Sequence, residues 1–199
     1  MAPVLTAKVG RNADLFNDIT RVYFKDGARV LDSTWGRGNF WNEGSLARYN
    51  VVGMDLVTPL HIQGDVRNLP FREASFDAMV LDPPYAKRVG TSIKASIAAP
   101  YQLDHALSPT GTVETMAMYH AGAYEALHVL RVGGYLILKC QDEIESGKQR
   151  WNHVALLHLP GFVCEDLFVM VQQSTPAMRV PYQLHARKNH SYFLVHRKQ

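Results

Sequence analysis

Short apolar runs that each stop at an acid constrain this chain more than any other feature. Ala28 to Asp32, Asn50 to Leu56, Leu60 to Gly64 and Phe76 to Asp82 read as strands, too short for helices and apolar enough to be buried. They bring Asp32, Asp55, Asp65 and Asp82 to one kind of place, the carboxyl end of a strand. Helical spacing separates them. From Asn12 the positions Leu15, Phe16, Ile19, Val22 and Tyr23 share one helix face until Asp26-Gly27 stops it. Phe40 to Arg48 is a short helix, and a long one runs from Thr112 to a stop at Arg131-Val132-Gly133-Gly134. Tyr135 to Lys139 is a fifth strand and Gln141 to Glu145 a polar turn. Trp151 to Leu159 reads as a helix ended by Pro160-Gly161, and Phe162 to Val171 as a strand. Ser191 to His196 is the final strand, antiparallel because only a connection, Gln172 to Asn189, precedes it. Met1 to Gly10 is an extended lead-in. Strands alternating with helices, with acids at successive strand ends, imply an open, doubly wound α/β sheet with ligands along its carboxyl edge.

Two of the strand ends carry distinctive chemistry. After the first comes Ser33-Thr34-Trp35-Gly36-Arg37-Gly38-Asn39, whose glycines permit a tight turn and bring main-chain amides close to a ligand. The spacing is Gly-x-Gly rather than the Gly-x-Gly-x-x-Gly that leaves room for a pyrophosphate. Asp55, roughly 20 residues further on, is placed to accept from ribose hydroxyls, or else caps a loop. After the fourth strand comes Asp82-Pro83-Pro84-Tyr85. The prolines have fixed φ and no amide proton, so the backbone is held open and the Asp82 carboxylate and Pro83 carbonyl stand as acceptors beside the Tyr85 ring. Two acceptors beside an aromatic face suit a planar substrate with an exocyclic amino group. The plainer alternative is a strand end with an Asp cap and a Pro-Pro turn.

At 199 residues and 47% hydrophobic content the chain suffices for one core, so a single domain over residues 1–199 is expected. No run approaches the ~18 apolar residues of a membrane span, and no charged segment followed by an apolar core opens the chain. A soluble, cytoplasmic protein without a membrane partner is the expectation. Cys140 and Cys164 both fall inside strands and read as reduced core thiols, and His153 and His158 are five apart rather than the four that suits one helix face, so no metal site is expected. Charge is uneven. From Leu167 to Gln199 there is no acid against Arg179, Arg187, Lys188, Arg197 and Lys198, which leaves 16 of the 21 Lys and Arg to face all 18 acids in the rest. A basic segment at about 174–190 therefore suits phosphate contacts, with a solvated tail as the alternative. The long Gly-, Ser-, Ala- and Pro-rich stretch at about 86–111 carries Lys87, Arg88 and Lys94 against Asp104, and its start at the active edge suggests a substrate loop rather than a plain connection.

From about Val30 to Cys140 the order Asp32-x-Thr34-x-Gly36-x-Gly38, then Asp55, Asp65 and Asp82-Pro83-Pro84-Tyr85, resembles motifs I to IV of the class I S-adenosylmethionine-dependent amino-methyltransferases that modify adenine N6 or cytosine N4 in DNA. Thr34 departs from the phenylalanine common there. The resemblance implies a Rossmann-like, doubly wound seven-stranded sheet, mostly parallel, with one antiparallel strand beside the fifth. It implies that Asp32, Thr34, Gly36, Gly38, Asp55, Leu56, Asp65, Val66 and Asp82 surround S-adenosylmethionine, Asp65 accepting from the adenine amino group and Val66 packing on the ring. The segment from Asn12 would lie against the methionine end. It also implies that Asp82, Pro83, Pro84 and Tyr85 act on the target amine, while Lys87, Arg88, Arg179, Arg187 and Lys188 face the nucleic acid. The expected reaction is methylation of an exocyclic amino nitrogen, adenine N6 in DNA ahead of RNA, on a base that is flipped out or unpaired. An RNA guanine or adenine amino-methyltransferase, or a catalytically silent nucleic-acid-binding subunit of the same fold, stand as alternatives.

Overall fold

The apolar stripe of the first helix, α1 (Asn12–Tyr23), buries Leu15, Phe16 and Ile19 against one face of a sheet. The computed structural model describes residues 3–58, 62–84, 111–173 and 185–199. Ahead of α1 lies β1 (Ala7–Val9), and after it come β2 (Arg29–Asp32), the short α2 (Glu43–Arg48), β3 (Asn50–Asp55), β4 (Ile62–Gln63) and β5 (Phe76–Leu81). The second half holds α3 (Thr112–Val129), β6 (Leu130–Cys140), a small hairpin of β7 (Glu143–Glu145) and β8 (Lys148–Arg150), α4 (Asn152–Ala155), β9 (Phe162–Val171) and β10 (His190–Lys198).

Among the described residues eight strands form one sheet in the order β1-β9-β10-β6-β5-β2-β3-β4. All neighbours are parallel except β10, which runs antiparallel to both β6 and β9. The antiparallel strand beside the fifth is therefore present, and the architecture is α/β, Rossmann-like and doubly wound. The expected count of seven is corrected to eight. The extra strand is β1, where Ala7, Lys8 and Val9 pair with Val169, Met170 and Val171 and cover the outer edge of β9. Three residues of mixed polarity carry no periodicity, so the pairing was not legible from local pattern.

Side chains alternate between two layers. Val30, Ala78, Val80, Ile137 and Phe193 face α1, whereas Leu31, Met79, Leu81, Leu136 and Leu138 face α3 through Tyr119, Ala123 and Ala126. The chain passes from α3 directly into β6, because Gly133 and Gly134 lie inside the strand rather than ending the helix. A Cβ on Gly134 would stand 2.9 Å from the Arg131 and Asp77 carbonyl oxygens, so close backbone contact at a bulge requires the glycine. The expected polar turn after β6 is instead the β7–β8 hairpin, closed by Ser146 and Gly147, both at positive φ, the geometry of a tight hairpin turn. Helix α4 keeps only one turn of the Trp151 to Leu159 segment. None of the described helices is long and apolar enough to cross a membrane.

His196 of β10 is fully buried beside the Phe162 ring. Burial pushes its pKa down to about 4, against a smaller upward pull from the Leu156 backbone. The unfolded chain binds this proton near pH 6.5 and the folded chain does not, so stability is full above that value and falls as the pH drops toward 4. Between pH 7.5 and pH 5 the loss from this one group amounts to about 2 kcal/mol. Urea unfolding at both pH values should show a smaller acid-induced drop in His196→Leu than in wild type; equal drops would remove the buried imidazole as the cause.

Candidate active site

A cavity of about 220 Å³ opens where β2, β3, β5 and β6 present their carboxyl ends. The turn after β2 forms its first wall. Gly36 and Gly38 have φ of 54° and 68°, in the left-handed region, and a Cβ on Gly38 would sit 2.8 Å from the Trp35 indole. The Trp35 amide donates to the Met54 carbonyl at 3.0 Å, which ties the turn to β3.

Asp55 at the end of β3 organises this wall. Its Oδ2 accepts from the Gly36 amide at 2.8 Å, and its Oδ1 from the Val57 and Thr58 amides at 2.9 and 2.8 Å. Partial burial pushes its pKa upward, but these amide hydrogen bonds outweigh it and hold the carboxyl below the usual range. Asp55 is thus a fixed anion with part of its lone-pair capacity already used to shape the glycine turn. Asp32 is different. It is buried behind the turn, outside the cavity lining, and accepts from the Trp41 indole N–H at 2.7 Å and the Thr34 amide at 3.2 Å. Burial raises its pKa to about 7; the two donors oppose this, and the negative charges of Asp82 and Asp55 add to it.

The opposite wall is Asp82-Pro83-Pro84, and it is joined to the first. The Asp82 amide donates to Thr34 Oγ1 at 2.8 Å, a bond that phenylalanine at position 34 would lack. On the other side Lys139 of β6 reaches across to Asp82, with Nζ 3.2 Å from Oδ1 and 3.0 Å from Oδ2. The Lys139 side chain is 7% exposed and that of Asp82 21%, so the pair is largely out of water. The Phe40 ring centroid lies 5.8 Å from the ammonium and Tyr119 donates to the Lys139 carbonyl at 2.8 Å, fixing the strand that carries it. Asp65, beyond β4, is gripped by Arg67: Nε lies 2.9 Å from Oδ1 and Nη2 2.5 Å from Oδ2, and this fork keeps the carboxyl below its ordinary pKa despite some burial.

Of the residues singled out from sequence, Thr34, Gly36, Asp55, Leu56, Asp65, Val66, Asp82, Pro83 and Pro84 line the cavity together. Asp32 and Gly38 lie behind it. Tyr85, Lys87, Arg88 and Arg179 fall outside the described residues, and Arg187 and Lys188 precede β10, away from the cavity wall. Lys139, Arg67 and Phe40 also line it and were not anticipated, while Trp35 belongs to the expected glycine turn and Asn12 opens the segment expected against the methionine end. Lys139 had one readable signal: an ammonium inside a buried apolar strand requires a partner. Among the described residues no cluster of three His, Cys, Asp or Glu side chains is placed to hold a metal ion.

No protein-family model matches the chain, and no curated protein matches its sequence. Solved structures do match its fold. TrmN from Thermus thermophilus superposes with a TM-score of 0.58 at 17% identity, over 94% of this chain and 49% of that one. A SAM-dependent methyltransferase from Methanosarcina mazei gives 0.54 at 16% identity, over 90% of this chain and 96% of that one. The fold is that of the S-adenosylmethionine-dependent methyltransferases. A protein from Clostridium thermocellum assigned as an rRNA methylase gives 0.55 at 12% identity, over 96% of this chain and 99% of that one. The chain therefore spans about half the length of the Thermus protein and nearly the whole of the other two.

Because Asp55 accepts three amide hydrogen bonds, Asp55→Ala should lower stability by about 1 to 3 kcal/mol, and Asp55→Asn, which keeps one oxygen, by less. Denaturant midpoints of the two variants check this. An Ala variant as stable as wild type would show that the carboxylate does not hold the turn.

Proposed function

We propose that the chain is an S-adenosylmethionine-dependent methyltransferase acting on an exocyclic amino group of a nucleic-acid base, with adenine N6 in DNA as the leading target. The observation that carries this reading is the joining of Asp82-Pro83-Pro84 to the glycine turn and Asp55 within one cavity, by the bond from the Asp82 amide to Thr34. The cavity's residues fit the cofactor. Asp55, Asp65 and Asp82 suit a ligand with an ammonium and a sulfonium, Leu56 and Val66 offer apolar faces for a purine, and Asp55 keeps acceptor capacity for hydroxyls. When bound, the cofactor supplies an electrophilic methyl group on sulfur.

The chain's own residues act on the nucleophile. An aromatic amino nitrogen is a weak nucleophile because its lone pair is delocalised into the ring. Asp82 and the Pro83 carbonyl accept its N–H bonds and so favour a pyramidal nitrogen whose lone pair points away from them. Pro83 and Pro84 have no amide proton to compete for those acceptors. As positive charge grows on the nitrogen, the Asp82 carboxylate interacts more strongly with it than in the ground state, which is the condition for catalysis. Thr34 and Lys139 hold that carboxylate in place, so little reorganisation accompanies the reaction. A base inside a duplex cannot reach this wall and must be unpaired or extruded. Within the acid-free stretch from Leu167 to Gln199, Arg197 faces Glu165 and Lys198 is held by the Leu127 and Leu130 carbonyls, so support for a polyanionic substrate comes from the cations ahead of β10. RNA is the second reading, favoured by the likeness to the protein assigned as an rRNA methylase.

Incubation with labelled cofactor and separate DNA, RNA and protein pools, followed by mass analysis, tests the assignment. Label as N6-methyladenine in DNA supports the leading reading, label in RNA the second, and label in neither nucleic acid refutes both. Within that assay Asp82→Ala should lose turnover by at least ~100-fold, the scale of removing one transition-state electrostatic partner, a larger loss than any fall in cofactor affinity read by calorimetry. Near-normal single-turnover rates would leave Asp82 as a structural turn residue.

A further inference from the structure

Beyond the cavity, the same sheet edge carries a ledge of aromatic rings that the proposed chemistry does not use. It forms because β10 runs antiparallel to β6, with Tyr192 opposite Cys140, so the residues entering β10 lie beside those leaving β6. Gln141 Nε2 donates to the His190 carbonyl at 2.9 Å, and Asn152 Nδ2 to the Gln141 carbonyl at 2.9 Å, joining the two segments. On this frame the His153 imidazole stacks on Tyr192, with centroids 4.1 Å apart and planes 21° apart. The buried Asp142 fixes that imidazole through a 2.8 Å contact to Nδ1, and His190 Nε2 lies 3.0 Å from the Tyr192 hydroxyl. Trp151 stands edge-on to His153 at 6.2 Å and is 57% exposed. Lys188 lies over the Trp151 ring, its ammonium 5.5 Å from the centroid.

Stability does not account for this arrangement. An indole that keeps more than half its surface in water contributes little to a core and leaves an aromatic face on which a planar group can stack. The acids near it, Asp142, Glu143 and Glu145, lie on or just before the hairpin, and the cation at the indole itself is Lys188. Asp142 faces His153, and Glu145 is engaged by the Thr112 amide at 2.9 Å and by Arg150 at 3.0 Å. Lys148 on the hairpin is exposed, and Lys188 belongs to the stretch from Leu167 to Gln199 that has no acid. A rigid aromatic face beside an ammonium is the chemistry that binds an unpaired nucleotide, the ring taking the base and the cation its phosphate.

We propose that Trp151, backed by His153 and Tyr192 and flanked by Lys188, is a stacking site for an unpaired nucleotide adjoining the target base. The proposal rests on the nucleic-acid reading of the active site and deepens it, by predicting that the substrate is single-stranded where it crosses β6 and β10.

The chain's three tryptophans make the test direct. Trp35 lines the cavity and stacks on Trp41 at 6.3 Å, so quenching on the ledge is the part of the signal that is lost in Trp151→Ala. The probes are a mixed-sequence single strand of about 12 nucleotides, as DNA and as RNA, and the corresponding duplexes. Single strands should quench wild-type fluorescence and bind more tightly than duplex. Trp151→Ala should weaken that binding about 10-fold while calorimetric S-adenosylmethionine affinity and the circular dichroism spectrum stay unchanged. Trp151→Phe, which keeps a stacking face, should recover most of the affinity. Lys188→Gln should flatten the log-log salt slope by about 0.7, one phosphate on a single strand. Preference for DNA or RNA in the titration identifies the polymer, and either supports the ledge. Unaltered single-strand affinity in Trp151→Ala, or a preference for duplex, overturns it. Oligonucleotide that is methylated by wild type and Trp151→Ala with the same KM overturns the ledge and leaves the active-site reading standing, whereas absence of nucleic-acid binding together with label in the protein pool overturns both.

Discussion

An ammonium group taken out of water must meet a counter-charge, and the meeting of Lys139 with Asp82 is the contact on which the rest of this site depends. It joins the ends of β5 and β6, neighbouring strands whose main chains are already paired. The Asp82 amide then reaches Thr34 after β2, and Tyr119 of α3 secures the Lys139 carbonyl. Two further elements are thereby bound to one ion pair. Such a pair contributes little net stability over an apolar replacement, but removing one partner alone is costly, so its value lies in fixing geometry.

The other acids at the strand ends solve the same electrostatic problem by different means. Asp55 is held by main-chain amides and Asp65 by the Arg67 fork. Asp32, farthest from water, relies on the Trp41 indole and Thr34 amide, and burial prevails there, as its pKa near 7 records. Four carboxyl groups of one type thus become three cavity anions and one buried group that titrates near neutrality. The difference lies in the donors that each loop brings.

Much of the fold was legible because burial imposes periodicity: the stripe of α1, the apolar runs of β2, β3 and β5, and the loop-preceded β10 all show it. What escaped notice depends on distant parts of the chain. Nothing local in Ala7–Val9 announces pairing with β9, and Gly133-Gly134 look like a helix stop until the Asp77 carbonyl is placed against them. The candidate site divides the same way. Asp55 and Asp82 were recognisable from their positions after strands, whereas the Lys139 contact requires β6 to lie beside β5. Asp32, though in motif, is set behind the wall by the turn that follows it.

The hairpin β7–β8 has an architectural effect of its own. Through Glu145 it caps Thr112 at the start of α3, while Thr34 and Lys139 clamp Asp82 at the end of β5. The end of β5 and the start of α3 are therefore each anchored by a side chain from another element. A change in the hairpin would therefore be felt first at the start of α3, and a change at Thr34 or Lys139 at the cavity wall.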